Sequence, residues 1–419
     1  MPRTWRRGTT EPFARLGAHR IIDAVADAAK RWCDADFPLR VRTTAAIRER
    51  TGYSEPVVDY ALDRLFEALN RDALTAAIEG ELGAVDALDG FVARGERGTA
   101  FASPVGRLVV VASETTIGVA LPPALFALCA RCEVLVRDRS DALVRAFSQT
   151  LAEERPDVAA RLHVNDATAH DDPAWLAELA RADAVVAFGS AAALKAIRAQ
   201  TPAETRFIAY GHRTSASYVA REALMDDAAA QHVADDAALD ALLYDGEGCL
   251  SSHALFLERG SGVDLNRFTA MVVAACGRAA IEFPPGAVEM HPSVAAYRNA
   301  ASFRASRGYG RVMWDARACT LVALEPPREE PPPLLPRTLA LYAIDGPKDF
   351  ALFAQTHRLP LEAVAAAPFP PRDDVVAAIL ASGAARIARV GMLQAPSFAA
   401  EHGGIGRIGP FVRWVTRDP

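Results

Sequence analysis

One cysteine, Cys249, stands in the stretch ALLYDGEGCLSSHALFLER (241–259), between an apolar helical end and an apolar, strand-like run. A thiol at such a junction can face a cleft, because Gly246 and Gly248 let a substrate approach the backbone closely. The chemistry available to it is nucleophilic attack as a thiolate. Taken alone, the residue reads more readily as a small buried apolar side chain. His253 follows four positions later, so a helical backbone between them would bring its imidazole near the thiol and stabilise the thiolate. A solvated polar histidine fits the pattern equally well.

Three further patterns carry weaker signals. Cys129 and Cys132 form a C-x-x-C, but no second pair or histidine pair at zinc spacing accompanies them, and Cys129 falls on an apolar helix face. Core cysteines are the better reading, and no metal site is expected. Gly404, Gly406 and Gly409 match G-x-G-x-x-G, yet only ten residues follow, too few for the helix and acidic residue that a dinucleotide site requires. A turn is expected there. Gly189-Ser190 lies between a strand (ADAVVAF) and a helix (AALKAIR), where unpaired N–H groups and a glycine can receive a phosphate, although every such junction favours these residues for capping alone.

The elements that must position these residues read as follows. Residues 14–95 have helical periodicity, with Val58, Ala61, Leu62, Leu65, Phe66 and Leu69 on one face and Ser54 and Pro56 as N-cap and first-turn residues. From position 107, β-branched runs alternate with alanine-rich helices: strands at 107–112, 133–136, 161–164, 184–188 and 206–209, helices at 123–130, 141–153, 173–180 and 191–199. That alternation predicts a parallel sheet covered by helices on both faces, with ligands at the carboxyl ends of its strands. A second helix-rich unit starts near 240, with helices at 263–282 and 294–303 and strands at 320–325 and 338–343. PPREEPPPLLP (326–336) is too proline-rich for helix or strand and reads as an extended connection.

The whole chain sets outer bounds. Its 419 residues, 51% of them apolar, suffice for two or three packed domains, and a net charge of −6 gives no electrostatic reason to expect nucleic acid or an anionic membrane as partner. No apolar run of membrane-spanning length occurs, and Arg3, Arg6 and Arg7 are not followed by the apolar core of a secretory signal. Six scattered cysteines make no disulfide framework, so a reducing cytoplasm with free thiols is expected.

The segment YDGEGCLSSHALFLE (244–258) resembles the cysteine segment of the LuxC-type acyl reductases, the long-chain acyl and acyl-CoA reductases related to the aldehyde dehydrogenase superfamily. TGYSEPVVDYALDRLF (51–66), VVAFGSAAALKAIR (185–198), RFIAYGHRTSASYV (206–219) and HGGIGRIGPFVRWV (402–415) are similar to family segments, in family order, and together span most of the chain. The resemblance implies an α/β, aldehyde dehydrogenase-like fold: a doubly wound cofactor domain with the helical arm (1–240), an α/β catalytic domain (241–390), and a C-terminal segment (391–419) returning to the body or to an oligomer interface.

It also implies a reaction. Cys249 would attack an acyl thioester and become an acyl-cysteine, which hydride from a nicotinamide cofactor converts to an aldehyde. Gly189 and Ser190 match the family's cofactor phosphate segment, Arg137 falls where the superfamily has a lysine on the adenosine ribose, and Glu325 is a weaker match to the nicotinamide-ribose glutamate. Two departures refine this reading. Ala209 stands where hydrolytic aldehyde dehydrogenases carry their water-activating glutamate, which favours reduction of an activated acyl group over oxidation of an aldehyde. Thr116 replaces the oxyanion-binding asparagine, and a hydroxyl donates a single bond from a shorter side chain.

The segment after Arg137 offers Arg139 and no acid suited to a ribose 2′-hydroxyl, so NADPH is expected over NADH. The donor would be an acyl-CoA or acyl-protein thioester, with an acyl-protein synthetase as a possible partner and a homo-oligomer as the assembly. An NADP-dependent aldehyde dehydrogenase working oxidatively, or a degenerate member that binds an acyl donor without turnover, are the alternatives.

Overall fold

The structure, a computed structural model, describes residues 16–95, 98–113, 116–137, 142–165, 171–286, 292–315, 319–324 and 331–419. The chain forms two compact units. The first comprises Met1–Ile47, Ala61–Gly211 and Ser397–Pro419; the second comprises Arg48–Tyr60 and His212–Pro396.

The N-terminal helices are Ala18–Trp32, Pro38–Thr51, Glu55–Ala68 and Arg71–Leu82. Helical periodicity was expected as far as 95, but the last helix stops at Leu82. Gly83 adopts φ 84 there and its N–H donates to the Glu79 carbonyl, closing the helix in a left-handed cap. A 3₁₀ turn, Val85–Leu88, and the short strand β1, Val92–Ala93, follow. Ser54 lies before its helix as expected, but its hydroxyl donates to the Pro284 carbonyl at 2.7 Å.

After β2 (Thr99–Pro104), the first unit builds its main sheet from β3 (Arg107–Val111), β4 (Glu133–Arg137), β5 (Leu162–Asn165), β6 (Ala184–Phe188) and β7 (Arg206–Tyr210). All pairings are parallel, in the spatial order β5-β4-β3-β6-β7. These are the strands expected from the alternating pattern, with ends shifted by a residue. Every residue of β6 is buried, as an unbroken apolar run requires when helices cover both faces. Between β3 and β6 the winding reverses, which makes the carboxyl edge of these strands the place for a ligand.

The second unit is a seven-stranded sheet of β8 (Thr214–Val219), β9 (Ser252–Glu258), β10 (Arg311–Trp314), β11 (Thr320–Leu324), β12 (Thr338–Ile344), β13 (Leu361–Ala367) and β14 (Arg386–Arg389). Their order is β10-β11-β12-β9-β8-β13-β14, parallel except for the antiparallel edge pair β10-β11. Because β8 pairs with both β9 and β13, residues from His212 onward belong with the cysteine segment. The helix Asp227–Leu242 packs on this sheet through Ala230, Ala234, Ala237, Ala238 and Ala241, small side chains that permit close approach. Residues 331–335 of the proline-rich segment have neither helix nor strand.

The last strand, β15 (Val412–Arg417), returns to the first unit and pairs antiparallel with β2 in a three-stranded sheet. The glycine-rich segment before it is a turn, as expected, and the reason lies in a carboxylate. Glu81 accepts hydrogen bonds from the N–H groups of Arg407, Ile408 and Gly409, the last at 2.8 Å. A Cβ at Gly406 would overlap that carboxylate. The Gly404-Gly406-Gly409 pattern thus binds an internal anion with its backbone. Cys129 and Cys132 are both fully buried, and burial pushes each thiol up to about 12, as core cysteines require.

Candidate active site

Four of the residues singled out by sequence come to the carboxyl edge of the five-stranded sheet. Thr116 lies in the loop leaving β3, Arg137 ends β4, and Gly189-Ser190 leaves β6. Gly189 has φ 153, and a Cβ there would meet the Ala193 methyl at 3.3 Å. Ser190 caps the helix Ala191–Gln200, its hydroxyl accepting from Ala193 N at 3.2 Å. A bare backbone followed by a capped helix N-terminus at the winding reversal fits the phosphates of a dinucleotide. Arg137 is 1% exposed, with its guanidinium over the Trp175 ring at 4.6 Å. Arg139 and Glu325 lie outside the described residues.

The same edge carries a feature that sequence reasoning did not find. Tyr210, closing β7, stacks against Phe188 at 4.9 Å and against His402 at 4.2 Å. Val186, Phe188, Ile208, Tyr210, His402 and Arg407 line a shallow crevice. The alternation of Val186 with Phe188 and of Ile208 with Tyr210 is the period-two signal of one sheet face. His402, far along the chain from both strands, gives no such signal.

Cys249 belongs to the second unit, at the amino edge of its sheet. The chain reaches it through three successive left-handed residues: Tyr244 (φ 57), Asp245 (φ 53) and Gly246 (φ 73). Two of these carry side chains, a conformation that persists only where surrounding contacts over-determine it. Here Asp245 Oδ1 accepts from Arg337 Nε at 2.7 Å, its carbonyl accepts from Arg337 N at 2.9 Å, and Oδ2 accepts from Gly286 N at 3.2 Å. A Cβ at Gly246 would press on Ala241 O and Arg337 N, both at 3.1 Å, so the glycine is needed. The cysteine turn is then pinned from two sides. Ser215 Oγ, on β8, donates to the Cys249 carbonyl at 2.9 Å, and Gln394 Nε2 donates to Ser251 Oγ at 3.0 Å.

The thiol is half-buried, and burial pushes it up to about 11; the negative charge of Glu362 acts in the same direction, while Arg386 and Arg213 oppose it. Arg213 Nε lies 3.5 Å from Glu362 Oε2. These residues meet because parallel strands share an amino edge. Arg386 on β14 is in register with Ala363 on β13, Ala363 with Ser215 on β8, and Ser215 with Ser252 on β9. Glu362 sits in the register irregularity between Leu361 and Ala363.

His253 is not helical with respect to Cys249. Ser252 begins β9, so the spacing of four residues spans a turn and a strand start. The imidazole is buried, which lowers its pKa, and it lies among backbone groups of Thr338, Pro333 and Gly246. The charges around the thiol come from Arg386, Arg213 and Glu362 instead. Sequence reading missed all three, although a glutamate opening the apolar run LEAVAAA was a signal of a polar role at a sheet edge.

This fold is that of the aldehyde dehydrogenases. It is similar to an oxidoreductase from Marinobacter aquaeolei at 13% identity and a TM-score of 0.71, covering 96% of this chain and 86% of that one. A NAD-dependent benzaldehyde dehydrogenase from Corynebacterium glutamicum matches at 13% identity and 0.68, over 97% and 87%. A NAD-dependent aldehyde dehydrogenase from Sinorhizobium meliloti matches at 13% and 0.67, over 97% and 84%. Residues 13–414 match the LuxC family of acyl-CoA reductases, and the chain belongs to that family. No curated protein sequence matches it significantly. Among the described residues no helix is long and apolar enough to cross a membrane.

Proposed function

We propose that this protein reduces an acyl thioester, from CoA or an acyl-carrying protein, to the aldehyde through an acyl-cysteine on Cys249, with NADPH as reductant. The observation that supports this best is the cysteine turn itself: in a chain of the acyl-CoA reductase family, a half-buried thiol follows three left-handed residues and is fixed by Asp245–Arg337, Ser215 and Gln394. Such fixing holds a nucleophile in one geometry and limits the freedom lost on attack. As the sulfur bonds to the thioester carbon, the bond to the carrier sulfur breaks, and the departing thiolate takes up the proton that Cys249 gives up. The backbone N–H of Cys249 is suited to receive the oxyanion of that step.

Gly189 and Ser190 would hold the cofactor's phosphates, with Arg137 toward its ribose; the sequence resemblance gives Arg139 a cofactor role, Thr116 the oxyanion position and Glu325 the nicotinamide ribose. When bound, the cofactor supplies the hydride that turns the acyl group into an aldehyde. Ala209 stands where the resemblance puts the water-activating glutamate of hydrolytic aldehyde dehydrogenases and offers no carboxylate for that role, which favours reduction over hydrolysis.

The test is incubation with an acyl-CoA series, with and without NADPH, followed by intact mass and aldehyde detection. Wild type should carry an acyl adduct without NADPH and release aldehyde with it. Cys249→Ala should lose both, by several orders of magnitude in rate. No adduct on wild type, or aldehyde from Cys249→Ala, overturns the proposal.

A further inference from the structure

A thiol that burial holds protonated needs a positive charge to carry it through acyl transfer as a thiolate. Histidine is the usual partner, but His253 is on a strand among backbone groups. The geometry of the second unit supplies a different one.

Arg386 opens β14 at the amino edge that Cys249 occupies, in the row Arg386–Ala363–Ser215–Ser252 across four parallel strands. Its environment is built to hold a guanidinium in place. Arg386 Nη2 donates to the Leu393 carbonyl. The loop carrying that carbonyl is itself fixed, because Asp240, fully buried in the helix Asp227–Leu242, accepts from Gly391 N at 2.7 Å and from Leu393 N at 2.9 Å. One residue further on, Gln394 bonds Ser251 in the cysteine turn at 3.0 Å. A single loop therefore joins the arginine to the thiol segment. The charged groups acting on Arg386 are Asp240, Glu362 and Cys249 itself; those acting on Cys249 are Glu362, Arg386 and Arg213.

We propose that Arg386 is the positioning residue of the cysteine site, supplying the positive charge against which the Cys249 sulfur becomes a thiolate, with Glu362 as the opposing charge that limits it. Lysine would fill the role less well, because its three donors radiate from one flexible ammonium, whereas the planar guanidinium is held by the Leu393 carbonyl in a fixed orientation. The inference rests on Cys249 being the nucleophile of the proposed reaction, but its test needs neither acyl donor nor cofactor.

The experiment is alkylation of the full-length protein by iodoacetamide between pH 6 and 10, read as Cys249 peptide mass, in a Cys33→Ser background because Cys33 is exposed. Arg386→Gln should slow alkylation at pH 7 at least about tenfold and move the pH profile upward. Arg386→Lys should fall between it and the parent. Glu362→Gln should move the profile the opposite way, toward faster alkylation at pH 7, and His253→Ala should leave it in place. If Arg386→Gln does not fold, the opposed shifts of Arg386→Lys and Glu362→Gln decide. Profiles of the arginine variants that coincide with the parent, or a Glu362→Gln profile that moves upward, overturn the proposal. A parent that alkylates as expected but forms no acyl adduct would overturn the acyl-reductase reading alone.

Discussion

Asp240 shows most clearly how a single residue serves the site from outside it. Burial raises its carboxyl to about 7, even though the Gly391 and Leu393 N–H groups favour its ionised form; Asp236 pushes in the same direction as burial and Arg386 against it. An unfolded aspartate titrates near about 4. Between these two values the folded chain holds a proton that the unfolded chain has lost, so this residue's contribution to stability is greatest below about pH 4, falls as pH rises through the window, and levels above about 7. We expect the urea midpoint of the wild type, minus that of Asp240→Asn, to decrease between pH 4.5 and 7. A difference that stays flat or rises would show that the carboxyl is not held protonated. The same residue fixes the loop that carries Leu393 and Gln394, so its state bears on the cysteine turn through that loop and through its charge on Arg386.

At the scale of elements, the glycine-rich segment before β15 is the instructive case. Its spacing suggested phosphate and its position in the chain argued for a turn; the turn exists because Glu81 needs three backbone donors and a position without a Cβ. Gly406→Ala forces a methyl into the carboxylate, and we expect a loss of about 1–3 kcal/mol, seen as a lower urea midpoint. An unaltered midpoint would mean that the turn tolerates the methyl by moving. Strands show the complementary limit. β3 to β7 were legible because each is a short run rich in apolar residues, and two of them lead to a helix with a side-chain cap: Ser190 after β6, and Asp172 after β5, which accepts from Ala174 N at 2.8 Å. β8, TSASYV, was not: its serines and threonine look like a loop until Ser217 Oγ meets Ser252 Oγ at 3.1 Å inside the sheet.

For the whole molecule, the winding of the first unit brings Thr116, Arg137 and Gly189-Ser190 to one edge, where the proposed cofactor would bind. On the proposed reading, Arg137 at the end of β4 and Arg139 two residues on in the sequence would suit a 2′-phosphate. We expect calorimetry to give NADPH at least about tenfold tighter binding than NADH, and Arg139→Ala to weaken NADPH while leaving NADH nearly unchanged. Equal affinities, or a preference for NADH, would refute that choice.

By itself the sequence determined the family, the alternating strands and helices of the first unit, and the cysteine with its glycines, because these are properties of neighbouring residues: hydrophobic period, caps, and the conformations that only a local residue type permits. Tertiary structure decided the charges around that cysteine. Arg386, Glu362 and Arg213 lie far apart in the chain, and they meet at Cys249 only because parallel pairing aligns the amino ends of β14, β13, β8 and β9 along one edge. Local spacing pointed to His253 instead, on the premise of a helix that the start of β9 replaces with a strand.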